Sequence, residues 1–156
     1  MPGFALHRQL VYAIQEFSRH SGKSFFLDLE IPAIRQAMFL GACLPDLVSG
    51  INPMGFHTGL VHYLNTGSFA RHLVDLARTP VQQALAWGWV SHIIADTRIH
   101  PVINKHCEEI KFGRFVDGLS YADDPFLRVQ VETGVDVYVW NAFANTRQDV
   151  MRSPIS

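Results

Sequence analysis

The segment His92-Ile93-Ile94-Ala95-Asp96-Thr97-Arg98-Ile99-His100 repeats a potential metal ligand every four residues. On a helix that interval returns each side chain to the same face, one turn further on. Neutral imidazole and carboxylate are standard zinc ligands, so three successive turns bring their donor atoms within reach of one or two ions. Trp87, Trp89, Ile93, Ile94 and Ile99 surround the triplet, which predicts a helix buried nearly all round. Buried ionisable groups need partners, and a metal supplies one. A solvated polar face is the plainer alternative.

Other candidates are weaker alone. Leu44-Pro45-Asp46 is followed by His57 and His62, and His7 lies near the start of the first helical pattern. Glu132 and Asp136 stand four apart, so on a helix they share a face; a solvated acidic edge is the alternative reading. His20, His72 and His106 read as surface residues, and Trp87, Trp89, Phe69, Phe112 and Phe115 as core rather than a lipid-binding face.

The elements that must position these groups read as helices. Leu6, Leu10, Val11, Ile14 and Phe17 recur at helical spacing, ending near Ser21. Pro32 opens a short helix to about Phe39. Residues 41–67 hold five Gly and two Pro and read as a long irregular connection, of a length that is usually functional. Ser68 to Ala77 is helical again. Thr79-Pro80 caps a long helix to about Ile99, with Pro101 closing it and a short helix from Val102 to Ile110 beyond. Asp124-Pro125 starts a last helix to about Phe143, although its alternating valines also fit a strand. There are no internal repeats or linkers.

The chain has 156 residues, 48% of them hydrophobic and 17% charged, with eight His, two Cys and a net charge of −1. That is one domain with enough apolar material for a core, and not a disordered tail. A protein that wraps duplex nucleic acid carries a basic excess, which is missing here, so no stable nucleic-acid partner is expected. Two cysteines are too few for a disulfide scaffold. No stretch has the form of a secretory signal or a membrane span. The reading is therefore cytoplasmic, with a mature secreted form as the alternative.

Taken in order, His7, Asp46, His62, His92, Asp96 and His100 resemble the zinc-dependent phospholipase C superfamily. That superfamily includes bacterial phospholipases C, the amino-terminal domain of glycosylphosphatidylinositol phospholipase D and fungal zinc nucleases. The run from Ala86-Trp87-Gly88-Trp89 through His92 and Asp96 to His100-Pro101 carries most of the resemblance, with His62-Tyr63-Leu64-Asn65-Thr66-Gly67-Ser68-Phe69 beside it.

The resemblance implies an all-α domain over 1–156 holding two or three zinc ions in a cleft. It is shorter than the family's catalytic domains, so a missing C-terminal portion is expected. By the same resemblance Asp46, His62, His92 and Asp96 hold the most buried ion. His62 is preferred over His57, which stands too close to Asp46. His7 serves a second ion bridged by Asp96, completed by the amine that loss of Met1 would expose at Pro2. His100 begins a third site. There the family places a His four residues before an acid, whereas this chain has Arg128 before Glu132. Arg cannot ligate zinc, so either Glu132 and Asp136 supply the acids or one metal is missing or exchanged.

The implied function is hydrolysis of a phospholipid phosphodiester by metal-activated water, with Asp46 as bridging ligand or general base. A nuclease or other phosphoesterase on the same scaffold, and a non-catalytic zinc-stabilised helical module, are the alternatives.

Overall fold

Proline and a side-chain cap open the two helices that carry most of the expected ligands. Thr79 accepts the N–H of Gln82 while the Gln82 side chain accepts the N–H of Thr79, a capping box with Pro80 in the first turn. Asp124 accepts the N–H of Leu127, with Pro125 in the first turn. The computed structural model describes residues 3–21, 26–51, 65–116 and 123–143, and only the backbone of 48–51. Among these residues it contains five helices and no strand: α1 Phe4–Ser21, α2 Pro32–Ile51, α3 Thr66–Leu76, α4 Pro80–Phe112 and α5 Pro125–Ala142. The fold is all-α.

The core lies where α1 and the turn after it meet α2 and α4. Val11, Leu27, Leu29, Ile34, Ala37, Met38, Ala42 and Ala84 form one buried cluster. At the crossing of α2 and α4 the backbones nearly touch. A methyl group on Gly41 would overlap the carbonyl of Leu85, and one on Gly88 would overlap the carbonyl of Met38. Helix α5 packs against α1 and α4, and α3 lies along α4.

Two prolines expected outside helices, Pro45 in a connection and Pro101 at a helix end, are interior. Helix α2 runs through Gly41 and Pro45 to Ile51, so the first part of the expected connection is helical. Pro45 forfeits one main-chain hydrogen bond, but it is itself buried, as is Asp46 behind it, on the face that meets α4. Helix α4 likewise passes through Pro101 without a break, because the turns beyond it bury Ile103, Cys107 and Glu108. The ambiguous last segment is a helix, as its cap predicts.

Burial of α4 is one-sided rather than all-round: Ile94 is 57% exposed, and Thr97 and Arg98 face solvent. Trp89 is core and Trp87 packs against the core, whereas Phe69, Phe112 and Phe115 are exposed, contrary to expectation. His20, His72 and His106 are exposed. No described helix is long and apolar enough to cross a membrane.

Candidate metal centre

Three helices deliver one ionisable cluster to the core. His7 comes from α1, Asp46 from α2, and His92 and Asp96 from α4; all four are buried, His7 completely. His7 Nε2 lies 3.6 Å from Asp46 Oδ2 and 3.5 Å from Asp96 Oδ1. His92 Nε2 lies 3.2 Å from Asp96 Oδ2 and 3.9 Å from Asp46 Oδ1. The two imidazole rings stack with centroids 4.0 Å apart. His100, half-buried at the edge, puts Nε2 3.6 Å from Asp96 Oδ1. Asp96 thus presents one oxygen to His92 and the other to His7 and His100.

The close approach at Gly88 is what orients His92. One turn beyond that glycine, Nδ1 of His92 donates to the carbonyl of Ala42 at 2.8 Å. This fixes the tautomer and turns the Nε2 lone pair towards the carboxylates, the usual outer support of a metal-binding histidine.

These groups fit a metal ion better than they fit one another. At these separations neither ring nitrogen of His7 completes a hydrogen bond among the described residues, and neither does Asp96 Oδ1. Two atoms bound to one tetrahedral zinc at about 2.0–2.1 Å stand about 3.3 Å apart, close to the spacings found here. Donor atoms of His7, His92 and Asp96 all lie within 4.8 Å of one another. Without a cation the cluster responds by holding protons. Burial works against ionisation of Asp96, but His7, His92 and the charge of His100 outweigh it and keep its carboxyl far below the usual range. Burial also disfavours a charged His92, yet Asp96, Asp46 and the Ala42 carbonyl raise its pKa above the usual value.

A family model for zinc-dependent phospholipase C matches residues 6–154. The chain belongs to the zinc-dependent phospholipase C family. No curated protein and no solved structure matches it. The family is one of hydrolases, and its zinc dependence accords with the donor set that this phospholipase C family chain buries.

Of the residues expected to bind metal, the structure gathers His7, Asp46, His92, Asp96 and His100. His62 and His57 lie outside the described residues, as do Met1 and Pro2. Glu132 and Asp136 take other contacts. Buried Glu132 accepts Nε of Arg128 at 2.9 Å, and Arg128 in turn donates through Nη1 to Asn104 at 2.6 Å. Asp136 accepts the N–H groups of Ala5 and Leu6 at 3.4 and 3.3 Å, tying α5 to the first turn of α1 and so steadying the turn that bears His7. Burial pushes the Asp136 carboxyl above the usual range, against those two hydrogen bonds.

Sequence reading missed the Ala42 carbonyl behind His92 and the ion pair of Arg128 with Glu132. The first has a faint signal in Gly88, one turn before His92. The second has a plain one, since Arg128 and Glu132 stand at a spacing that favours ion pairs.

Proposed function

We propose that this chain is a zinc-dependent phosphodiesterase of the phospholipase C type. The observation that carries the reading is the convergence of His7, Asp46, His92 and Asp96 from three helices: Nε2 of each imidazole lies 3.2 to 3.9 Å from an oxygen of both carboxylates, and donor atoms of His7, His92 and Asp96 lie within 4.8 Å of one another. The family match supports phosphodiester hydrolysis as the chemistry of such a centre. In this reading His7, His92 and Asp96 would hold one ion with room left for water, Asp46 stands beside it, Asp96 reaches a second ion together with His100, and His62 is a further ligand of the centre.

When bound, zinc supplies Lewis acidity, drawing charge from a phosphodiester and making water acidic enough to lose a proton near neutral pH. The chain's own residues arrange the rest. His92 is held in one tautomer by Ala42, and His7 is fixed by its stacking on His92 and by Asp136 at the start of its helix. Asp46, the carboxylate from α2 facing both imidazoles, is our candidate to accept the proton of the attacking water. Attack forms a new P–O bond as the bond to the glycerol oxygen breaks; diacylglycerol leaves, its oxygen taking up the proton that Asp46 accepted, and the phosphorylated head group is the second product.

The test is metal analysis of the purified protein together with hydrolysis of phosphatidylcholine, single-stranded DNA and a chromogenic phosphodiester. Phosphatidylcholine cleavage that a chelator abolishes and zinc restores supports the proposal. Cleavage of DNA alone moves the activity to the nuclease branch, and zinc-loaded protein inert on all three overturns it.

A second reading, the non-catalytic zinc module, draws on the depth of burial: four protein donors around one ion leave no place for water. Structural zinc is closed by protein, whereas catalytic zinc keeps an open position. X-ray absorption on the zinc-loaded protein separates them by counting ligands from solvent.

A further inference from the structure

Beside the metal centre, a groove of about 380 Å³ runs between α1 and α4, floored by α5. Leu6, Leu10 and Ala13 line it from α1, Ala95 and Ile99 from α4, and Val139 from α5. Leu6 and Ala95 are the chain neighbours of His7 and Asp96, so the groove is built from the same turns of α1 and α4 that carry the cluster. Its accessible wall is wholly apolar, and even Gln9 and Arg98 present only apolar atoms to it. Its volume is within the range of small-ligand pockets.

Arg98 gives the groove a polarity. Its stem lines the wall, it is exposed, and its guanidinium makes no hydrogen bond or ion pair among the described residues. An arginine that lays its stem on apolar surface keeps its charged head at the water boundary. A wholly apolar slot with an uncompensated cation at its edge matches an amphiphile with one apolar tail and one anionic head. Neither a neutral apolar molecule nor a cationic one would use Arg98. A second apolar groove lies between α3 and α4 and shares only Ile94 with the first.

We propose that this groove binds a single acyl chain bearing an anionic head, the tail lying against Leu6, Leu10, Ile99 and Val139 and the head paired with Arg98. The shared chemistry is an acyl tail with one negative charge, which a fatty acid or an anionic lysophospholipid offers equally. The site does not require zinc or catalysis, so it stands or falls apart from the phosphodiesterase proposal.

The experiment is titration calorimetry of the full chain with dodecanoate, lauroyl lysophosphatidylglycerol and uncharged dodecyl maltoside, each below its micelle concentration, with and without chelator. Saturable one-to-one binding of either anionic probe, unchanged by the chelator, supports the proposal, and whichever binds more tightly names the source. Arg98→Ala should weaken that binding about fivefold, the limit for an exposed ion pair. Ala13→Trp, which fills the slot from an exposed position, should abolish it while circular dichroism stays unchanged. No saturable binding, equal affinity for the maltoside, or binding indifferent to Ala13→Trp overturns it. So does a concentration-dependent dimer that Ala13→Trp dissolves, which would give the groove to a second copy of the chain.

Discussion

Nδ1 of His92 donates a hydrogen bond of 2.8 Å to the main-chain carbonyl of Ala42. A histidine on α4 is thereby aimed by the backbone of α2, at a crossing where Gly41 and Gly88 let the two helices approach closely. The centre is therefore coupled to helix packing as well as to its own ligands.

Gly88→Ala tests that coupling. Its methyl would strike the carbonyl of Met38, a backbone atom that cannot swing aside. The expected cost is about 1–3 kcal/mol, as for other overpacked cores. Zinc affinity should fall about tenfold or more, the usual effect of losing an outer support. Gly134→Ala is the control: nothing lies within 4 Å of its added methyl, and it is exposed in α5. There alanine should stabilise by about 0.5–1 kcal/mol through helix propensity. Urea denaturation and zinc titration of both variants check the pair; equal changes at the two sites would refute the packing account.

Glu132 is committed to Arg128 in a buried pair at 2.9 Å. Arg128→Met leaves a buried carboxylate without its guanidinium and should cost about 3–5 kcal/mol. Adding Glu132→Leu should recover most of the loss, because an apolar pair of similar volume carries no desolvation penalty. Zinc content in the double variant should equal that of the wild type. A fall in bound zinc on Glu132→Leu would instead make Glu132 a ligand.

The sequence was most legible where local chemistry decides the structure. The four-residue repeat of His92, Asp96 and His100 put them on one face, and the caps at Thr79 and Asp124 opened helices as read. It was least legible where packing overrides local preference. Gly41, Pro45 and Pro101 look like breaks, yet α2 and α4 pass through all three. At Gly41 the small residue serves the close crossing rather than a loop, which a single chain cannot reveal. Periodicity likewise could not show that His7 and Asp46 face α4; only the family resemblance joined them. The family's ligand pattern makes Glu132 a candidate ligand, but Arg128 one turn before it takes its carboxylate into an ion pair instead.

Acid should loosen the turn between α1 and α2 before the core yields. Arg19 forks onto Glu30 with Nε and Nη2, each at 2.7 Å, and Gln15 donates to the same carboxylate at 3.0 Å. The Arg19 hydrogen bond, followed by that of Gln15, lowers the Glu30 pKa from 4.5 to about 2. A depressed folded-state pKa means stability that is fully present above the unfolded value and lost as pH falls through the folded one. Wild type should therefore exceed Glu30→Gln in stability above pH 4.5, with the gap closing towards pH 2. The pair is half-exposed, so the gap should be no more than about 1 kcal/mol and should shrink in salt. Denaturant melts of both proteins across that range decide it; a gap that widens on acidification would contradict the assignment.

Removal of zinc should cost wild-type protein stability, and His7 is where the cost should be traceable. Without a cation, its fully buried ring completes no hydrogen bond among the described residues, while its contacts with Asp46 and Asp96 at 3.6 and 3.5 Å favour the cluster. His7→Leu removes both effects. An unsatisfied buried group costs about 1–3 kcal/mol, and loss of the carboxylate contacts works in the opposite direction, so metal-free stability should shift by only about 1 kcal/mol. The response to zinc should change far more. A ligand that binds only the folded chain stabilises it by about 2.7 kcal/mol at one hundred times its dissociation constant. Wild type should show that gain in thermal melts and lose it to a chelator, while His7→Leu, short of one donor, should show little of it. An undiminished zinc response in His7→Leu would place the ion elsewhere.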